Sequence, residues 1–416
     1  MLIPRTAEAT IRLLVAGYPV VALTGPRQSG KTTLVRAMFG DRPFVSLEDL
    51  DERELAIGDP RGFLARFPDG AVLDEVQRAP DLFPYLQTRV DQDGRTGLFL
   101  LTGSQQFGLL SGITQSLAGR VALVQLLPFA LSELQEADRG PGSLEELLFQ
   151  GLYPPIHDRF LEPAIWYGNY VRTYVERDVR QMVNVRDLSV FQRFVRMCAG
   201  RCGQLLNLSS LGNDCGITHN TARAWLSVLE ASYLVYLLRP HHRSFDKRLV
   251  KSPKLYFYDP GLAAWLIGVQ HPDQLATHPL RGGLVETWVV SELLKSLYNR
   301  ALADNLYFWR DHAGHEVDLL IDRGTELVPV EVKSGQTVNR DFFTGLTRWR
   351  AMAGDLAGRG WLVYGGERNE SRAEVEVVAW RRIGALTAAV AAAAGGDRPR
   401  PVEPGGSPPG AATEGG

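Results

Sequence analysis

The sequence predicts an α/β protein in three parts: a parallel-sheet unit on the N-terminal side, a mainly helical middle, and a smaller α/β unit toward the C-terminus. Three observations carry this reading. Short apolar runs alternate with amphipathic stretches over the first 135 or so residues, the rhythm of strands covered on both faces by helices. Aromatic and aliphatic residues then recur at helical spacing over 170–182 and 190–199. Beyond Gly282 an apolar helix leads into a series of strand-like segments. The expected units are 1–138, 144–260 and 261–383, followed by a tail over 395–416.

Taken in order, Val20 to Leu23, Phe44 to Leu47, Ala71 to Leu73, Leu98 to Leu101 and Val121 to Leu126 read as buried strands. A Gly/Pro-rich break at Arg139 to Ser143 separates them from the helical middle. The last unit opens with a helix whose apolar positions are Leu284, Trp288, Val289, Leu293 and Leu294. Leu306 to Arg310, Glu316 to Ile321 and Leu327 to Lys333 follow as strands. Beyond Ala394, Gly, Pro and Ala dominate, so that segment cannot offset its ordering entropy and is expected to be disordered.

Composition narrows the function classes. With 45% hydrophobic residues in 416, the chain can bury substantial cores. A formal net charge of −2 means that any nucleic-acid contact must come from a local patch. Three cysteines, Cys198, Cys202 and Cys215, without CxxC spacing, argue against a disulfide framework or a structural zinc site and fit a reducing cytoplasm. The most apolar short run, Val121 to Leu131, is broken by Gln125 and Pro128 and falls short of the roughly 20 residues that span a bilayer, so no membrane partner is expected. Only six of the 45 basic residues are lysine: Lys31, Lys247, Lys251, Lys254, Lys295 and Lys333. A lysine at a motif position is therefore informative, because a rigid guanidinium does not replace a compact ammonium in a tight phosphate site.

Gly25, Pro26, Arg27, Gln28, Ser29, Gly30, Lys31 and Thr32 match GxxxxGK[ST] between an apolar strand and a helix that runs on from Thr33. Such a loop winds backbone N–H groups around a β-phosphate and adds the positive end of the following helix. Lys31 would reach the β/γ oxygens and Thr32 would ligate Mg²⁺. Ala71 to Glu75 supplies a strand ending in two carboxylates, with Asp74 suited to the metal's water shell and Glu75 to orienting or deprotonating an attacking water. Thr102 and Ser104 stand after a further strand, where they read equally as γ-phosphate sensors or as turn and cap residues. Arg120 is a candidate arginine finger, in cis or from a neighbouring subunit, with an ordinary surface arginine as the alternative. Together GPRQSGKT, VLDE, LLTGS and SLAGR, continuing into LLPFALSE, resemble the AAA+-type ATPases that carry a DUF4143 region at their C-terminal side, over residues 1 to about 383. The resemblance implies a P-loop ATPase module and strengthens Lys31, Thr32, Asp74 and Glu75 as site residues.

In the middle, Leu208 to Leu211, Asn213 to Gly216, Thr218 to Glu230 and Leu234 to Leu238 read as helix, turn, helix and strand, the order of a winged helix. Asn220, Thr221, Arg223 and Ala224 would occupy the first turns of a recognition helix. A basic run, His241, His242, Arg243, Lys247, Arg248, Lys251 and Lys254, with Phe245 nearby, could meet DNA phosphates, the alternative being a helical lid with a solvated loop. Tyr174 to Asp178 and Lys254 to Gly261 look like the DUF4143 pattern, with Arg177 and Asp178 as an ion pair or intersubunit contact. Cys198 and Cys202 are expected to be packing residues.

Near the C-terminus a hairpin places Glu331 and Lys333 on one face, with Asp318 on the partner strand and Glu286 on the preceding helix. Two acids and a lysine on adjacent strands suit metal-assisted phosphodiester cleavage, with Asp318, Glu331 and Glu286 as Mg²⁺ ligands and Lys333 stabilising charge or positioning water. This looks like the PD-(D/E)xK restriction-endonuclease-like core, although Val317 stands where the leading proline would be. The expected function is an Mg²⁺-dependent ATPase that couples ATP to a DNA-binding, nuclease-like region, with a possible homo-oligomer. The alternative is a nucleotide-switched scaffold with an inactive nuclease-like fold.

Overall fold

The computed structural model describes residues 2–104, 112–113, 115–175, 187–241, 249–372 and 374–394. Five strands, β1 (Val20–Thr24), β2 (Phe44–Ser46), β3 (Ala71–Asp74), β4 (Phe99–Thr102) and β5 (Val121–Gln125), form one sheet in the order β2-β3-β4-β1-β5. Every pairing in it is parallel. Side chains alternate between two cores, Val20, Ala22, Leu73 and Leu101 to one face and Val21, Leu23, Val72 and Leu100 to the other. Covering both faces with helices is what makes these strands near-continuous in apolar residues. β5 departs from that expectation because it is the edge strand, and Leu123 on it is exposed.

Parallel pairing fixes which residues share an edge. The segments that leave β1, β3 and β4 lie together at the C-terminal edge of the sheet, where open α/β sheets bind ligands. Residues that precede a strand lie at the other edge.

The middle begins with the helices Leu144–Gln150, Pro154–Asp158 and Pro163–Tyr170, the last running into a π-helical turn, Val171–Val175. Three further helices, Leu188–Ala199, Leu208–Cys215 and His219–Ala231, follow. Asn207 and Thr218 cap the latter two, accepting hydrogen bonds from Ser210 N–H at 3.0 Å and Thr221 N–H at 3.1 Å. An antiparallel pair, β6 (Val235–Pro240) and β7 (Lys254–Phe257), comes next. Cys198, Cys202 and Cys215 are buried and unoxidised, as packing residues are. Arg177, Asp178, His242, Arg243, Phe245, Lys247, Arg248 and the tail 395–416 lie outside the described residues.

A second sheet holds β8 (Leu306–Arg310), β9 (Glu316–Asp322), β10 (Leu327–Lys333), β11 (Gly360–Tyr364), β12 (Glu370–Arg372) and β13 (Val375–Ala379). Its order is β12-β13-β11-β10-β9-β8-β6-β7, so the strands of the middle complete a mixed eight-stranded sheet. Strands on either side of residue 260 therefore share one sheet. One hydrophobic core extends from Leu127 and Leu134 through Leu229 and Tyr256 to Trp288 and Val390. The helix Arg281–Tyr298 crosses that core, buried over most of its length from Leu284 on, and its buried charges Glu292 and Lys295 pair with each other at 2.8 Å.

Candidate functional site

The loop after β1 has the backbone its motif requires. Gly25 has φ of +140°, and a Cβ there would lie 2.2 Å from the Leu126 carbonyl oxygen, so only glycine fits. Gly30, at φ +94°, precedes the helix Lys31–Met38. Lys31 is 5% exposed, and its ammonium donates to Gly25 O at 3.0 Å and Pro26 O at 2.8 Å. Among the described residues no carboxylate lies within ion-pairing distance of it. Burial pushes its pKa down to about 8, against the opposing pull of the Glu75 and Asp74 charges.

Asp74 ends β3 and accepts hydrogen bonds from Thr32 at 3.0 Å and from Thr102 at the end of β4. Burial raises its carboxyl above the ordinary range. Glu75 follows at φ +53°, a left-handed conformation unusual for a glutamate, and its Oε2 accepts from Ser104 at 3.0 Å and from Gln77. A hydroxyl and a carboxylate 3.0 Å apart are a donor pair that suits a hydrated Mg²⁺. Ser29, within the loop, is fully buried.

The cleft over this loop, about 380 Å³, is closed by parts of the chain that sequence did not assign to it. Arg27, Gln28, Gly30, Lys31, Thr32, Thr33, Asp74 and Glu75 line one side, and Leu2, Ile3, Phe129, Pro154, Pro155 and Tyr174 the other. Arg5 is 7% exposed and ties the loop down, with guanidinium bonds to Ser29 O at 2.8 Å and Leu127 O at 2.7 Å and an ion pair to Glu133 at 3.1 Å. Gln28 donates to the Tyr174 hydroxyl at 2.9 Å, while the Arg27 guanidinium lies 5.4 Å from the centre of that ring. Tyr233 donates to Thr24 at 2.8 Å. The middle region is thus seated directly on the phosphate loop.

Arg120 is not part of this cleft. It precedes β5, and its carbonyl accepts from Val20 N–H at the start of β1, so it stands at the opposite edge of the sheet from the loop. Its guanidinium is paired with Asp91, one contact being 2.9 Å. Action as a finger on its own subunit's loop is corrected by that placement.

Glu286, Asp318, Glu331 and Lys333 do come together, around β9 and β10. Asp318 accepts from Val332 N–H at 2.9 Å, and Lys333 pairs with Glu331 and stands 3.9 Å from Asp318. Burial first, and then the Asp318 charge, push the Glu286 and Glu331 carboxyls up. The cluster contains a residue that sequence placed elsewhere: Lys254, 2% exposed, lies among Glu286, Glu316 and Asp318. Its assignment to a phosphate-contacting run is corrected, because it opens a strand whose four residues are all buried. His241 of the same run is also internal, 3.0 Å from Asp322. Among the described residues no group of three or more His, Cys, Asp or Glu is arranged to hold a metal ion. The expected Mg²⁺ site on Asp318, Glu331 and Glu286 is corrected accordingly, since ammonium groups stand between these carboxylates.

Asp259, in the stretch that opens with Lys254, is a structural staple. It accepts from Leu152 N–H, Leu262 N–H and the Tyr167 hydroxyl at 2.7–2.8 Å. Among the described residues no helix is long and apolar enough to cross a membrane.

Comparison with known proteins gives three matched segments, and Tyr174 and Lys254 to Gly261, expected as part of a DUF4143 pattern, fall in the second of them and not in DUF4143. Residues 17–135 match an AAA domain, residues 142–273 a domain of unknown function, DUF8612, and residues 281–383 a domain of unknown function, DUF4143. Two proteins described as uncharacterized, Rv2008c of Mycobacterium tuberculosis and Mb2031c of Mycobacterium bovis, are each 34% identical over 339 residues, 80% of this chain and 74% of theirs. Among solved structures the Walker-type ATPase PABY2304 of Pyrococcus abyssi is similar at 15% identity and a TM-score of 0.45, covering 64% of this chain and 96% of that one. The chain belongs to the family of AAA-domain proteins that carry a DUF4143 region on the C-terminal side.

Proposed function

We propose that the chain binds and hydrolyses ATP with Mg²⁺ in the cleft over residues 25–33, and that the nucleotide's presence is passed to a DNA-contacting C-terminal part. The observation that carries the first half is Lys31, an ammonium buried without a carboxylate partner among the described residues beside the Thr32–Asp74 pair. A buried cation bonded only to loop carbonyls is stabilised by an arriving polyanion. Loop N–H groups from Gly25 to Thr32 bind the β-phosphate, and Lys31 reaches the β/γ oxygens. Mg²⁺, when bound, supplies positive charge against the charge that develops on those oxygens; the Thr32 hydroxyl and Asp74 would hold it. Glu75 orients the attacking water and takes its proton, and Thr102 and Ser104 hold the two carboxylates in register.

The second half rests on packing. Tyr174 bonds Gln28, Tyr233 bonds Thr24, and both tyrosines belong to the middle, so a phosphate that reshapes the loop moves groups continuous with the helix pair 208–231 and the β6–β7 hairpin. Helix, turn, helix and hairpin follow one another as in a winged helix, and Asn220, Arg223 and Ala224 are exposed on the helix His219–Ala231, where bases would be read. A PD-(D/E)xK-like C-terminal unit fits the same assignment. A non-hydrolysing, nucleotide-switched scaffold is the second reading, favoured by Glu75 being occupied with Ser104 and Gln77.

Phosphate release from Mg²⁺-ATP, with and without duplex DNA, tests both on wild type and Glu75→Gln. The expected outcome is a loss on the order of 10²-fold or more in turnover with ATP affinity kept. Wild type that binds ATP and releases no phosphate under either condition establishes the scaffold reading instead.

A further inference from the structure

A groove of about 650 Å³ opens on the middle region, and none of its lining residues belongs to the nucleotide cleft. Its apolar lining includes Pro141, Ile156, Phe160, Leu161 and Pro163. Phe160 is 77% exposed, and Leu161 beside it is exposed too. The ring is nonetheless held in place, because the Arg139 guanidinium stands 4.5 Å from its centre and donates to His157 O at 2.7 Å. Its backbone is strained as well, at φ +54°, and so is that of Asp138, another lining residue, at +55°. Among the described residues six that are not glycine have positive φ: Gln28 and Glu75 belong to the nucleotide cleft, and Asp138 and Phe160 to this groove. Such conformations persist where the surroundings enforce them, and they gather at binding sites.

The groove is also acidic. Asp138, Glu146 and Glu162 face the single guanidinium of Arg139, and burial pushes the His157 pKa down to about 4, which leaves that imidazole neutral. Glu146 accepts from Gly142 N–H at 2.7 Å, whereas the Asp138 and Glu162 carboxylates have no partner among the described residues. A fitting occupant carries cations spaced by compact apolar groups, in an extended form that has little backbone entropy to lose. The chain has such a sequence of its own. Past Ala394, where the last described helix ends, 22 residues follow, among them Arg398, Pro399, Arg400, Pro401 and Val402. That helix starts at Gly384, beside the groove, since Arg381 donates to Pro141 O at 2.7 Å and to Gly142 O. Its 11 residues carry the chain at most about 16 Å away, a return that about six extended residues cover. We propose that Arg398 to Val402 dock in this groove as a polyproline-type strand, prolines against Phe160 and Leu161 and arginines toward Asp138 and Glu162. Alone the segment has nothing to bury itself against; tethered, it meets the groove at an effective concentration on the order of millimolar. The proposal goes beyond the ATP reading and does not rest on it, because neither the groove nor the test involves nucleotide.

The test is fluorescence anisotropy of a labelled synthetic peptide with the sequence of residues 396–405, titrated with the full chain. Wild type, whose own tail competes, is expected to bind the peptide at least about tenfold more weakly than Arg398→Glu with Arg400→Glu. Adding Phe160→Asn to that pair is expected to abolish the gain. Asparagine tolerates the left-handed backbone at this position, so an unchanged melting temperature verifies that the fold is kept. Equal binding by wild type and the paired variant, which would leave the groove open to a segment of another protein, overturns the proposal. So does a gain that survives Phe160→Asn. Masking that grows with protein concentration assigns the tail to a second copy and overturns it as well.

Discussion

Lys31 and Lys254 are both buried lysines beside carboxylates, and they solve opposite problems. Lys31 is given two backbone carbonyls and no ion pair among the described residues, and its pKa falls to about 8. Lys254 has three carboxylates about it, and their charges outweigh burial to raise its pKa well above the ordinary range. The difference teaches what a binding lysine looks like before its ligand arrives. Where the fold withholds the counter-ion, the ammonium is an unmet demand for anion; where the fold supplies it, the ammonium is structure.

The sharpest way to break that contrast is substitution by methionine, which removes charge at similar length. Lys31→Met is expected to cut ATP turnover on the order of 10³-fold while leaving the nucleotide-free protein at least as stable as wild type, because an uncompensated buried charge is removed. Lys254→Met is expected to destabilise the protein by about 3–5 kcal/mol, because it strands buried carboxylates. Urea unfolding of the two variants beside wild type measures both signs. Stability changes of the same sign would end the distinction.

The contrast also explains what sequence could show. The phosphate loop was legible because its parts are contiguous: eight residues between a strand and a helix specify their own geometry. The hairpin of Asp318, Glu331 and Lys333 was legible for a similar reason, since strand alternation over a short span decides which side chains meet. Lys254 was not. Its neighbours Lys251 and Arg248 suggest a solvated basic face, and only the following Leu255, Tyr256 and Phe257, a wholly buried strand, hint that it points inward. Its partners lie 32 to 64 residues on, and nothing local encodes their approach. Arg5 is the same case, reaching Ser29 and Leu127 across loops whose closure only the folded core determines.

A smaller effect separates the two lysines in solution. With a folded pKa near 8 against 10.5 unfolded, Lys31 is partly deprotonated just above neutral pH in the free protein. The unfolded chain holds the proton that the folded one has released, so this group's contribution to stability improves as pH rises from about 8 toward 10.5. Bound triphosphate restores the charge. ATP binding at pH 8 is therefore expected to take up about half a proton, and at pH 6.5 almost none. Calorimetry in buffers of different ionisation enthalpy reads that number directly. Lys31→Met should abolish the uptake, and Lys254→Met should leave it unchanged.

The smallest expected effect concerns Arg120, and it follows from the same rule of edges that gathers Lys31, Asp74 and Thr102. In a parallel sheet the residues after each strand share one edge and the residues before share the other; Arg120 precedes β5. Its pairing with Asp91 lies at the surface, with the two side chains 34% and 44% exposed, so the arginine has a local surface partner and no view of its own loop. Arg120→Ala is expected to leave ATP turnover within about twofold of wild type in dilute protein. An arginine reaching a neighbouring subunit's γ-phosphate would instead lower turnover by roughly 10³-fold, and only at concentrations where copies associate. Turnover measured against protein concentration for wild type and Arg120→Ala distinguishes the two. A loss that grows with concentration would place the catalytic cation in trans; a flat ratio leaves Lys31 as the cation that the fold reserves for the nucleotide.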